Sequence, residues 1–331
     1  GFLKGSGHGS TMKDKHDQYW HFATMAISVN FKFERRLGMF PAGFEEDGQM
    51  YVNTTYGDYP HFLPDVKVEQ HKERFSGWML LSKDKEVKTN STLVGVKQKI
   101  IDEREEGYMP NLENEGYAIR YINDENLRTM WVAESNSDTI QFEMDLGSLM
   151  SIHAIQINFL DFNADLYGRK EGIKQQFVIE GSIDGTNWSE LVDFSENQQD
   201  RPHAYIELEK SESLRFIKFQ NLHFPNKYLA IGEFRVFGKG NGAAPKTPKN
   251  FRVARQKDQR NAGITWDKVK DAQGYVLRWG IRKDRLNNSV MIYDENTYEL
   301  RALNLEVDYF YQVEAFNENG ISKKSKILSD I

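Results

Sequence analysis

A histidine set among glycines stands near the start of the chain, where residues 1–10 read GFLKGSGHGS. Glycine tolerates tight turns that a Cβ disfavours, so this run lets the backbone pass close to something while carrying one imidazole, His8. A natural N-terminus rarely starts on such a feature, and the chain reads as the tail of something larger. The first segment also offers Asp14, Glu34, Glu45, Glu46, Asp47 and Asp58 as carboxylates, all in turn contexts. There is no cysteine, which excludes thiolate nucleophiles, thiolate metal sites and a disulfide framework.

The elements that position such residues are strands. Aromatics make up 13% of the 331 residues, and turn dipeptides (Asp47-Gly48, Asp184-Gly185, Asn319-Gly320) separate short alternating apolar runs, a β pattern. The length allows two or three domains. A net charge of −6, with acidic and basic residues interspersed, excludes the basic footprint of a nucleic-acid binder. No apolar stretch is long enough to span a bilayer, and the residues from Gly1 onward show no signal-peptide pattern, which carries little weight in a chain that reads as the tail of something larger.

The chain divides into three segments, 1–78, 79–240 and 241–331. The first is dense in aromatics and glycine, too short for a usual all-β core, and reads as strands completing a larger structure. The second shows clean alternation in Ile155-Gln156-Ile157-Asn158-Phe159 and reads as a β-sandwich, with separate strands over 139–146 and 152–159 and over 204–208 and 214–221. Trp78-Met79-Leu80-Leu81 at its start predicts docking on the first segment, because four apolar residues are costly to expose. Residues 238–248, GKGNGAAPKTP, read as an exposed linker that leaves the third segment mobile.

The third segment resembles a fibronectin type III domain. Trp266 in AGITWDKV takes the place of the family's core tryptophan, and Tyr309 in LEVDYFYQVEAFNENG that of the corner tyrosine. The second resembles a discoidin-like domain (coagulation factor 5/8 type C, a jelly-roll sandwich), through YINDENLRTMWVA, FVIEGSIDGTNWSELVD, SLRFIKFQN and IGEFRVFG. That resemblance implies a structural calcium site at Asp124, Asn126 and Thr129, closed by Glu233, with hard oxygen donors of the kind Ca²⁺ takes. It also implies a carbohydrate site on loops at one end of the sandwich, with Phe162, Tyr167, Arg169, His203 and Tyr228 as candidates; packing on an enzyme neighbour is the other reading of these residues.

The first segment resembles the last blade and closing strands of a glycoside hydrolase family 43 catalytic domain, a five-bladed β-propeller, through GSGHGSTMKDKHDQYWHFATM and FERRLGMFPAGFEEDGQMYVNTTYGDYP. The resemblance implies that His8 points into the active-site cavity with Arg35, or its neighbour Arg36. Inverting hydrolysis needs an acid and a base carboxyl flanking the bond, and in that family these lie upstream of the histidine motif. The expected protein is an all-β accessory portion of a secreted, periplasmic or cell-surface bacterial glycosidase that acts on arabinose- or xylose-containing plant cell-wall polysaccharide. Its expected partners are the polysaccharide and the missing propeller blades of the same protein. The alternative is a non-catalytic carbohydrate- or cell-surface-binding protein.

Overall fold

The computed structural model describes residues 4–26, 35–44, 48, 50–63, 74–95, 116–164, 166 and 168–330. They are all-β apart from short turns, one of them a 3₁₀ turn at Ile119–Ile122. Four strands, β1 (Lys4–Lys13), β2 (Tyr19–Ala26), β3 (Arg35–Phe44) and β4 (Met50–Val52), form an antiparallel meander in that order. Ala23, Met25 and Phe40 bury a small apolar cluster on it.

The second sheet comprises β5 (Met79–Leu80), β6 (Glu86–Thr89), β7 (Trp131–Val132), β8 (Gln141–Phe159), β9 (Gln176–Ser182), β10 (Trp188–Asp193), β11 (His203–His223) and β12 (Ala230–Lys239). The sequence predicts two strands where β8 runs and two where β11 runs. Each pair is instead one long strand, because the ladder continues through irregularities at Glu207/Glu212 and Leu214/Phe216. Such bulges bend a strand without ending it, so β8 and β11 contribute to both layers of the sandwich. Ile155, Ile157, Phe142, Phe177, Phe219, Phe234 and Trp131 fill the space between the layers and are fully or almost fully buried.

The third unit is a smaller sandwich. One sheet is β13 (Arg252–Arg255), β14 (Ala262–Thr265) and β17 (Thr297–Leu300); the other is β15 (Gly274–Gly280), β16 (Asn288–Tyr293), β18 (Phe310–Asn317), β19 (Gly320–Ile321) and β20 (Leu328–Ser329). Trp266 and Tyr309 sit in its core, and the Tyr309 hydroxyl accepts a bond from the backbone N–H of Asn304 at 3.3 Å. Both roles match the sequence reading.

The three units meet in one apolar joint built from Tyr56, Tyr59, Trp78, Met79, Leu80, Ala154, Phe237, Val276, Met291 and Phe316. Tyr56 stacks on Phe75 with centroids 4.8 Å apart, and Trp78 stacks on His153 at 4.7 Å. The apolar run at 78–81 is buried as its composition requires, with Leu81 0% exposed. Each large side chain so buried contributes about 1.5–3 kcal/mol.

The expectation of a mobile third unit is wrong. The linker is exposed over much of its length, but its backbone is tied. Gly240 N–H donates to the Glu318 carbonyl at 2.9 Å, Gly242 N–H to Asn319 Oδ1 at 2.8 Å, and Pro245 and Pro248 are buried. The threonines of residues 54–55 reach Ser289 of the third unit, with Thr55 Oγ1 3.0 Å from its hydroxyl. At Gly240 a Cβ would lie 2.2 Å from Asn319 Oδ1 and 2.9 Å from the Glu318 carbonyl. The glycines thus allow close approach, not freedom. Gly240→Ala should destabilise the protein by about 1–3 kcal/mol in urea unfolding and open 238–248 to protease, whereas a first cut there in the wild type would overturn the fixed joint.

Candidate functional site

Asp124, Asn126 and Thr129 lie in the loop between the 3₁₀ turn and β7, and Glu233 reaches them from β12. The Asp124 carboxylate accepts the Asn126 N–H at 3.0 Å, and the Thr129 hydroxyl lies 2.9 and 2.8 Å from its two oxygens. Glu233 is 0% exposed; its Oε1 accepts the same Asn126 N–H at 3.1 Å. No N–H or O–H donor of the described residues reaches its Oε2, and its carboxyl lies within hydrogen-bond reach of that of Asp124.

Burial pushes Asp124 up to about 6 despite its bonds to Thr129 and Asn126. Burial, then the charges of Glu125 and Asp124, raises Glu233 well above the carboxylate range. Two adjacent buried carboxylates require a shared proton or a cation. Among the described residues no three His, Asp or Glu side chains converge as an all-side-chain metal site would need. A cation here would therefore use hydroxyl and carbonyl oxygens beside two carboxylates, a donor set suited to a hard ion. Asp124 also lines an open cleft of about 310 Å³ with Asp84, Lys85, Arg120, Tyr121 and Asn123, which supplies an entry path.

The carbohydrate candidates divide. Phe162 and Tyr228 meet edge-to-face at 5.6 Å, and Tyr117 meets Phe162 at 4.8 Å. Leu160, Met130, Val132 and Ala230 support this group from beneath. Arg169 joins the same end, donating from Nη1 to the Pro225 carbonyl at 2.8 Å. Beside them Asn226, 4% exposed, donates to Asp161 Oδ1 at 3.1 Å, and its own Oδ1 is without a hydrogen-bond partner among the described residues. Tyr167 lies outside the described residues.

His203 opens β11 at the same strand ends but does not join that aromatic cluster; it pairs with Asn158, which in turn pairs with Glu233. It faces the first unit, where the Arg36 guanidinium is close enough to disfavour its protonation.

His8 occupies edge strand β1 in a left-handed conformation, φ 50°. The register passes from Gly7↔Thr24 to Ser10↔Phe22, so His8 and Gly9 together oppose Ala23 in a bulge of the kind that re-aims a side chain. Gly9 is required there, since a Cβ would fall 2.3 Å from the His21 ring. Arg35 pairs with Ala26 in the ladder, its side chain outside the described residues. Of the nearby carboxylates, Asp14 accepts bonds from His16 N–H, Gln18 N–H and Trp20 Nε1–H, and Asp58 lies 3.7 Å from Arg235. Glu34, Glu45, Glu46 and Asp47 lie outside the described residues.

Sequence reasoning missed Arg235, Glu125 and the role of Asp58. Arg235, 1% exposed, donates from Nε and Nη2 to Glu125 at 2.7 and 3.0 Å. Its Nη1 donates to the Asp58 carbonyl at 2.8 Å and to Gln156 Oε1 at 3.0 Å. The available signal was the Glu-Phe-Arg of β12, two charges on one face of a strand that must pair if that face is covered.

Both sandwiches belong to recognisable domain families. Residues 106–234 match the F5/8 type C domain and residues 246–331 the fibronectin type III domain, so the chain carries a discoidin-like domain followed by a fibronectin type III domain. Among solved structures it is similar to chitosan-binding module 2 from a chitosanase/glucanase of Paenibacillus sp. IK-5, in complex with chitotriose, at 19% identity over 48% of this chain and 99% of that one, TM-score 0.35. It is similar to CpGH89CBM32-4 of Clostridium perfringens, in complex with GlcNAc-α-1,4-galactose, at 14% identity over 49% and 96%, TM-score 0.34. A structure described as a glycoside hydrolase matches at 19% identity over 71% of this chain, which spans 47% of that protein, TM-score 0.36. No curated protein sequence matches the chain.

His203 generates a pH dependence. Burial, and secondly the charge of Arg36, drives its imidazole from 6.5 down to about 3. Between those values the unfolded chain binds a proton that the folded chain refuses. The stability this contributes is complete above about pH 6.5 and is lost as pH falls toward 3. The urea midpoint should drop between pH 7 and pH 5, and His203→Gln should flatten that drop; an unchanged slope places the acid sensitivity elsewhere.

Proposed function

We propose that this chain is the carbohydrate-binding accessory portion of a secreted bacterial glycosidase, and that its discoidin-like domain grips polysaccharide through the Phe162–Tyr228 end. The observation that carries this reading is the half-buried pair Phe162 and Tyr228 at one end of the sandwich, backed by the buried Tyr117 and beside Arg169. Aromatic faces with a few convergent polar groups are what a sugar site needs. The two domain types suit an extracellular protein. Among the described residues no helix is long and apolar enough to cross a membrane.

The finer reading places the parent enzyme in glycoside hydrolase family 43, with plant arabinose- or xylose-containing polysaccharide as substrate. The β1–β4 meander serves as a propeller blade, with His8 turned to the cavity and Arg35 and Arg36 at the start of β3 as the candidate arginines. The other blades of the same protein supply the acid and base carboxyls. Supporting this are the bulge that aims His8 and the structural bonds that occupy Asp14 and Asp58. Asp124, Asn126, Thr129 and Glu233 hold a structural Ca²⁺, which supplies the positive charge that two adjacent buried carboxyls call for.

Calorimetric titration with xylo-, arabino- and chito-oligosaccharides tests the binding. Phe162→Ala and Tyr228→Ala should each weaken it by about tenfold, the loss of roughly 1.4 kcal/mol. No binding to any of the three series, or binding indifferent to both substitutions, would overturn the reading. The chain alone should not hydrolyse nitrophenyl arabinofuranoside or xyloside; turnover lost in His8→Ala would mean that a complete acid–base pair lies within it.

A further inference from the structure

Asn123 and Glu125 flank Asp124 in the cation loop, and the side chains of both run to the joint between the units. Asn123 Nδ2 donates to the carbonyls of Ser82 and Lys85 at 2.6 and 3.1 Å, while the Asp84 N–H donates back to the Asn123 carbonyl at 3.1 Å. This holds the 82–85 loop, from which Lys83, its side chain 2% exposed, reaches Asp294 of the third unit at 2.9 Å. From the same loop Lys85 reaches Glu318 at 3.2 Å.

On the other side Glu125, in a left-handed conformation at φ 58°, holds Arg235 bidentately. Arg235 in turn holds Asp58. Next to Asp58, the Tyr59 hydroxyl bonds that of Tyr293 in the third unit at 2.9 Å, completing the circuit.

Glu233 and Arg235 share one face of β12, so the strand that closes the cation loop also carries the guanidinium held by Glu125 and Asp58. A divalent ion at Asp124 and Glu233 would fix residues 123–126, whose outer side chains are the anchors just described.

We infer that cation occupancy at Asp124–Glu233 and closure of the joint over residues 54–63 are one coupled equilibrium, so that a divalent ion locks the three units into a single body. This rests on the calcium reading of that loop. The coupling is carried by contiguous bonds between two sites with distinct partners, and as a binding free energy it must act in both directions.

Hydrogen exchange on the full chain, with Ca²⁺ and with chelator, reads one direction. Exchange should slow on the order of fivefold or more in residues 54–63 and 289–294, and stay unchanged in Arg252–Arg255 at the far sheet of the third unit. Titration calorimetry reads the other. Asp58→Asn and Tyr59→Phe leave the loop's own oxygens intact, yet each should weaken Ca²⁺ binding severalfold. Absence of any Ca²⁺ binding to the wild type would sink the calcium reading and the coupling with it. Binding with unchanged exchange at 54–63, or with equal slowing throughout, or with affinity indifferent to both substitutions, would overturn the coupling alone.

Discussion

The buried guanidinium of Arg235 is the constraint around which the assembly is arranged. Removing a charge from water costs several kcal/mol, repaid only when geometry and hydrogen bonding are nearly complete. Here Glu125 supplies a bidentate carboxylate, Asp58 a carbonyl and a second charge, and Gln156 a side-chain oxygen. Those partners come from a loop of the discoidin-like domain, from the preceding segment and from a neighbouring strand. Arg235 is satisfied only when all three are in place, and the rings of Phe237 and Tyr59, 4.8 and 5.7 Å from it, shield it further.

The same covering explains why β12 is buried on both faces. Phe234 and Val236 point into the sandwich core, while Glu233, Arg235 and Phe237 lie under the cation loop, residues 58–59 and the joint. His203 and Asn158 continue this covered face across β11 and β8. It is polar like a solvated surface, yet Asn158 is only 2% exposed.

Much of the architecture was legible because alternation reports which residues share a face. Ile155 and Ile157 were readable as core, as were Trp266, Tyr309 and the run at 78–81. Alternation cannot report what lies over the opposite face, and so the partnership of Arg235 with Glu125, 110 residues away, left no local trace. The linker was misread for a related reason. Gly240 and Gly242 have the composition of a flexible spacer, but their conformation is set by Glu318 and Asn319, which belong to a distant hairpin. Aromatic type singled out Phe162 and Tyr228, which the structure brings together at one end of the sandwich. It could not separate them from His203, because that depends on which face of β11 carries the ring, here the face shared with Asn158 and Glu233.

The shared joint also has a mechanical meaning. Ten side chains serve as core for three segments at once, so a load applied to the fibronectin-like unit cannot be absorbed at a slack hinge. It passes through Phe316 and Tyr293 to Tyr59 and Phe237, and from there into the sheet that carries the aromatic end. A protein built this way transmits tension stiffly up to a threshold and then fails as a whole, as a brittle body does, with no gradual yielding.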